Sequence, residues 1–223
     1  MKTTAIIVAA GSGSRFQSET PKQFLDLAGK PVVVHALERF ESAASVDSIA
    51  LVVSMDRVDA VRSQFVGFSK LEMIVAGGDT RAQSVLNGLQ AVAESTSVVA
   101  VHDAARPLVT EVEIDRVVEK AKQTGAACLV APVTDTIKTV RGDEISGTLD
   151  REKLRRALTP QVFRTEVLLK AFEAQGSTDS DVTDECYLVE KLGHPIAFVE
   201  GSGRNLKITH ADDLKLAELL IVK

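Results

Sequence analysis

Aromatic side chains are scarce in this chain of 223 residues, at 4%, with no tryptophan and one tyrosine. Aliphatic residues and alanine must therefore fill the interior, and a hydrophobic content of 45% is enough for a sizeable core. Cysteine is nearly missing. Cys128 and Cys186 stand apart in apolar or helical contexts, which excludes a disulfide framework and a cysteine-based metal site. Apolar stretches such as 6–10 and 98–101 fall far below the roughly 20 residues that span a bilayer, so no membrane partner is expected. Positive charge is not in excess either: 26 Lys and Arg face 31 Asp and Glu, for a net charge of −5. Scattered basic residues at that balance argue against nucleic acid as a partner. The opening Met1-Lys2-Thr3-Thr4 runs straight into a strand pattern with no signal-peptide layout. Together these absences predict a cytoplasmic protein with reduced thiols.

What is present is an alternation. Val- and Ile-rich runs at 4–9, 48–54, 71–76, 98–101 and 126–131 predict strands, and helical patterns fall at 31–41, 56–65, 80–94 and 111–124. In the third helix Ala82, Val85, Leu86, Leu89 and Val92 share a face, and Thr80 with Gln83 has capping-box spacing. Strands alternating with helices predict an α/β fold: a doubly wound, mostly parallel sheet. Residues 135–140 and 145–149 then read as two extended pieces around the turn Arg141-Gly142-Asp143-Glu144. Such a hairpin is marginal alone in water. It packs on a second subunit or folds back on its own domain, and a homodimer through an arm at about 133–153 is the expectation. Helices at 164–175 and 184–192, a strand at 196–199, a short extended piece around Lys207 and a last helix capped by Thr209 with Asp212 follow. The whole chain, 1–223, reads as one domain carrying one arm.

Three strand ends carry chemistry. The first runs into Ala9-Ala10-Gly11-Ser12-Gly13-Ser14-Arg15, whose small residues let backbone N–H groups approach a polyphosphate. Phe16 stands where a dinucleotide-binding fingerprint needs its third glycine, and no Gly-Lys-Ser/Thr follows, which excludes a P-loop. Arg15 and Pro21-Lys22-Gln23 add two cations. The Gly77-Gly78-Asp79 loop opens the Thr80 helix, with Arg81 and Ser84 on one face near its N-terminus; taken alone, it reads as an ordinary turn. The fourth strand closes on His102-Asp103-Ala104-Ala105-Arg106-Pro107. Asp103 there suits Mg²⁺ bridging phosphate oxygens, Arg106 is a fork donor for a second phosphate, and His102 reads as a packed histidine. In open α/β sheets ligands bind at the carboxyl ends of the strands, so these loops converge on a polyanion site.

At these residues the sequence resembles a known family. Ala-Ala-Gly-x-Gly-x-Arg, Pro-Lys-Gln, Gly-Gly-Asp-x-Arg, His-Asp-Ala-Ala-Arg-Pro, Asp-Thr-Ile-Lys, Leu-Thr-Pro-Gln, Thr-Asp-Glu and Asn-Leu-Lys-Ile-Thr occur in the order of the 2-C-methyl-D-erythritol 4-phosphate cytidylyltransferases, from Ala5 to about Leu220. The resemblance implies a nucleotide-diphospho-sugar transferase-like fold, transfer of CMP from CTP to a methylerythritol phosphate in the non-mevalonate isoprenoid pathway, and Mg²⁺ as cofactor. It further implies that Arg15, Lys22, Arg151 and Lys207 carry catalysis. Ala9, Ala10, Gly11, Gly13, Gly78, Asp79, Arg81 and Ser84 would hold CTP. Asp103, also the metal ligand, would join Arg106, Thr136 and Thr183 at the sugar phosphate. A homodimer sharing its sites across the arm is implied as well. Ribitol-5-phosphate cytidylyltransferase, an enzyme using another base, and a nucleotide-binding regulator without turnover are the competing readings.

Overall fold

The computed structural model describes residues 1–11, 16, 20–92, 96–175 and 182–221; Gly13 and Arg15 lie outside them. β1 (Lys2–Ala9) is followed by a short pair, β2 (Asp26–Leu27) and β3 (Lys30–Pro31), then α1 (Val32–Ser42), β4 (Ser48–Val53), α2 (Val58–Gln64), β5 (Leu71–Ala76), α3 (Arg81–Ala91), β6 (Thr96–Asp103) and α4 (Glu111–Thr124). Next come β7 (Ala126–Pro132), β8 (Lys138–Arg141), β9 (Glu144–Thr148), β10 (Arg155–Arg164), α5 (Thr165–Gln175), α6 (Glu185–Lys191), β11 (Ala197–Glu200) and α7 (Ala211–Ile221).

Seven strands form one sheet in the order β11-β7-β10-β6-β1-β4-β5. The chain winds outward from β1 through β4 to β5, then returns to the other side of β1 as β6. That reversal is a topological switch point, and it opens a crevice at the carboxyl ends of β1 and β6. Side chains alternate faces along a strand. Ala5, Ile7 and Ala9 of β1 therefore enter one core with Leu37 and Phe40 of α1 and Ile114 and Val117 of α4. Ile6 enters the opposite core with Val85 and Leu89 of α3 and Leu168 of α5. Both faces are covered, as the continuous apolar strands require. On the second face α3 comes close to the sheet: a Cβ on Gly88 would lie 2.7 Å from Ile6 Cγ2 and 2.9 Å from Val52 Cγ2.

The α/β doubly wound reading holds, with β10 as the exception to parallel order. It runs antiparallel to both β6 and β7, and its register slips between Ala157 and Gln161 around Pro160. A proline argues against an interior strand, so this segment is not legible as one; the slip is what accommodates it. The α3 cap is half of the expected box. Thr80 accepts from Gln83 N at 3.0 Å, but the Gln83 side chain turns to Asn87 Oδ1 at 2.8 Å. A complete box sits instead at Thr110 and Glu113 of α4. The last helix is entered by a different route too. Asp213, not Asp212, accepts from Thr209 N and His210 N, while the Thr209 hydroxyl donates to Lys207 O. Around Lys207 no strand forms; Ile208 N donates to Ala105 O at 2.8 Å and ties this segment to the end of β6. Among the described residues β8 and β9 pair only with each other, and Val140 and Ile145 stand 69% and 68% exposed on that hairpin.

Candidate active site

A cavity of about 500 Å³ lies at the β1/β6 switch point. Ala9, Ala10 and Gly11 leave β1 along one wall, Gly78, Asp79, Arg81 and Ser84 form a second, and Asp103, Lys22 and Lys207 complete it. Ten of the residues singled out from the sequence thus meet in one place. Gln23, quoted only as part of a motif, is what locks the first wall. Its buried amide donates to Ala9 O at 2.6 Å and to Gly11 O at 2.8 Å, spending both N–H groups on the glycine loop. The second wall needs its glycines for space: a Cβ on Gly77 would run into Ala10 Cβ and lie 2.8 Å from Ser84 Oγ. Ser84 Oγ donates to Thr80 O at 2.9 Å and accepts from Gly78 N at 3.1 Å, fixing that loop to the start of α3.

Charge is concentrated behind Asp103. Its Oδ1 accepts from Arg81 Nε at 3.0 Å; its Oδ2 lies 2.8 Å from Lys207 Nζ and 3.7 Å from Arg106 Nε. Burial alone would raise the Asp103 pKa, but Arg81, then Lys207 and Arg106, hold it well below the usual carboxylate range. Arg81 also spends its fork on Glu185, Nη1 to Oε1 at 2.7 Å and Nη2 to Oε2 at 3.0 Å. Burial would lower the Arg81 pKa, yet Glu185 and Asp103 together raise it. Three cations against two carboxylates leave this cluster one positive charge in excess; Lys22 and Asp79, which also line the cavity, offset each other in formal charge. Such a site attracts polyphosphate. The guanidinium of Arg81, expected to touch nucleotide, is turned to these two acids.

His102 is fully buried, as expected of a packed histidine. Nε2 lies 3.1 Å from Arg106 O, which only accepts, so Nε2 carries the proton. Nδ1 then accepts from the Thr159 hydroxyl at 3.0 Å, and Thr159 Oγ1 in turn accepts from Asp103 N. Arg106 sits behind the wall, with Nη1 donating to Asn205 O at 2.9 Å. Thr136 and Arg151 are exposed beside the hairpin and outside the cavity lining, Arg151 donating to Thr134 O; Thr183 is exposed as well. Glu185, missed by the sequence reading, gave a faint signal as the acid of Thr-Asp-Glu, which reads equally well as a helix start.

For a divalent cation the donor set is narrow. Among the described residues no group of three or more His, Cys, Asp or Glu gathers. A carboxylate offers about four lone-pair positions; Arg81 and Lys207 each take one, and Arg106 Nε at 3.7 Å is an ion pair rather than a hydrogen bond, so Asp103 keeps room for a cation. That fits an ion held mainly by substrate phosphates and water with one protein carboxylate, the usual habit of Mg²⁺.

Parallel strands ending in glycine loops around a cation-lined crevice define a nucleotide-handling α/β transferase. The chain belongs to the 2-C-methyl-D-erythritol 4-phosphate cytidylyltransferase family, and is thus an enzyme of the nucleotidyltransferase class: the family described as IspD, 2-C-methyl-D-erythritol 4-phosphate cytidylyltransferase, matches residues 3–223. The proteins of that name from Syntrophus aciditrophicus and Pelotomaculum thermopropionicum are 42% and 43% identical, over 100% and 99% of this chain and 97% and 94% of their own. Solved structures agree. The 2-C-methyl-D-erythritol 4-phosphate cytidylyltransferase of Thermus thermophilus superposes with a TM-score of 0.80 at 33% identity over 100% of both chains. The 4-diphosphocytidyl-2C-methyl-D-erythritol synthase of Anaerococcus prevotii gives 0.87 at 25% identity, covering 100% of this chain and 99% of its own. The family read from the motifs is the family found. Among the described residues no helix is long and apolar enough to cross a membrane.

Proposed function

We propose that this chain transfers CMP from CTP to 2-C-methyl-D-erythritol 4-phosphate and releases pyrophosphate, in isoprenoid precursor synthesis. The observation that carries the reading is the meeting of the Gly11 loop, the Gly78 loop, Lys22, Asp103 and Lys207 in one nucleotide-sized cavity. An oxygen of the acceptor phosphate forms a bond to the α-phosphorus, and the bond from that phosphorus to the bridging oxygen of the β-phosphate breaks. The nucleophile is already an anion, so no general base is needed. The barrier is the approach of two anions, and fixed cations lower it by positioning and electrostatics. Lys22, with Arg15 upstream of it in the sequence, serves the α-phosphate; Lys207, held by Asp103, serves the acceptor phosphate, and Arg106, bonded to Asn205 O behind the wall, supports it with its charge. Backbone of the two glycine loops holds CTP.

A magnesium ion bound with the nucleotide at Asp103 would neutralise phosphate oxygens and draw electron density from the α-phosphorus. Thr136 and Arg151 belong to a dimerisation arm at 133–153 and reach the site of a partner subunit, which is why they lie outside the cavity of their own chain; Thr183 completes the acceptor side. The reading includes one domain, a homodimer and a cytoplasmic location, with CTP and a sugar-alcohol phosphate as small-molecule partners and neither nucleic acid nor membrane as a partner.

Pyrophosphate release measured with CTP, UTP, ATP or GTP against methylerythritol 4-phosphate or ribitol 5-phosphate, with and without Mg²⁺, tests it. Turnover is expected with CTP, methylerythritol phosphate and Mg²⁺. Preference for ribitol phosphate, or CTP binding without turnover, would overturn the proposal. Lys22→Ala should lower kcat by about 10²–10³ while the melting temperature stays near that of the parent.

A further inference from the structure

Glu185 has no exposed surface and no place in the reaction just described. It is the first residue of α6, and the start of that helix is bolted to β10. Gln161 donates to Asp184 Oδ2 at 2.8 Å and accepts from Cys186 N at 2.9 Å. β10 in turn pairs with β6, and its Thr159 accepts from the backbone of Asp103. The side chains close the loop in the other direction: Glu185 to Arg81 on α3, Arg81 to Asp103 at the end of β6. A buried ion pair is weak as a device for stability alone, because desolvation offsets most of its attraction. What this one does is geometric. A guanidinium fork prefers to take a carboxylate two-handed. Glu185 occupies the fork, so Asp103 receives only Nε on one oxygen and keeps the other for Lys207 at 2.8 Å.

We infer that Glu185 is a positioning residue for the transfer reaction: by engaging the Arg81 fork it fixes the direction of the Asp103 carboxylate and, through it, the place of Lys207 in the cavity. The inference rests on the proposed transfer, since it gives that reaction's acceptor-side cation its anchor. Without the Glu185 charge the Arg81 fork turns to Asp103, takes both oxygens and releases Lys207. Nucleotide binding by the glycine loops is left nearly intact, so the loss falls on the reaction step.

The test compares E185Q, R81M and the double variant in kcat, in CTP affinity by calorimetry and in crystal structures. In E185Q kcat should fall by about tenfold or more, while the Kd for CTP moves by less than about threefold. In the R81M background the same change should add less than about twofold, because a residue that acts through Arg81 has nothing left to act on. The E185Q crystal structure should show Lys207 withdrawn from Asp103. Unchanged kcat with Lys207 still on Asp103, or a loss that multiplies with that of R81M, would overturn the inference. A parent enzyme inactive toward CTP and methylerythritol phosphate would refute the transfer reading instead, and the position of Lys207 in the two crystal structures would still decide the positioning role. If E185Q does not fold, the paired R81M and E185M variant leaves no charge unpaired between these two positions; normal kcat in it overturns the inference equally.

Discussion

His102 packs against Phe40 with ring centroids 4.8 Å apart, and both of its nitrogens are spoken for. Burial pushes its pKa down from 6.5 to about 4. The unfolded chain therefore takes up a proton near 6.5 that the folded chain refuses until about 4. Stability from this group is complete above the upper value and declines as pH falls toward the lower one. Between pH 7 and pH 5 that loss is about 2 kcal/mol, and burial of His35 lowers its pKa too and adds to the slope. Urea unfolding at the two pH values checks this: His102→Gln should show a smaller drop than the parent, whatever its absolute stability. At this scale the sequence is legible where backbone must come close or where a charge ends a strand, which is how Gly11, Gly78, Lys22 and Asp103 stand out. It is silent where a polar side chain works from inside, as Gln23 and Glu185 do, because nothing in a single sequence distinguishes a buried amide or acid from a surface one.

Among the elements, α3 shows packing outweighing propensity. Alanine at position 88 would gain about 1 kcal/mol of helix propensity over glycine. Its methyl, however, would press on Ile6 and Val52, both fully buried and branched at Cβ, in a core with no slack. Overpacking of that kind costs about 1–3 kcal/mol. Gly88→Ala is therefore expected to lower the urea midpoint at unchanged m value, and a raised midpoint would show the helix able to lift from the sheet. Element existence follows from periodicity for β1, β4, β5, β6, β7, α1, α3 and α4. Periodicity fails for β10, where Pro160 hides a strand buried along most of its length, and at Lys207, where a single bond to Ala105 O replaces a ladder.

For the whole molecule, the proposed dimer turns on apolar side chains that the hairpin leaves in water, Val140, Ile145 and Leu149. Aspartate at both 140 and 145 should give a monomer by analytical ultracentrifugation. With Thr136 and Arg151 no longer delivered to a neighbour, turnover should drop by about 10². A dimer that survives the double change would move the contact elsewhere. The hairpin itself is readable from its turn signal, but its destination is not, since one chain contains no second surface.

The chain leaves the sheet at Pro132 and re-enters at Arg155, and these two residues face each other across the β7–β10 ladder. The excursion between them is thus a closed detour whose ends already touch. A tight turn could bridge the gap without disturbing the seven-stranded sheet, which makes the appendage a graftable part that can change apart from the sheet, within the reach that delivering Thr136 and Arg151 to a neighbour demands.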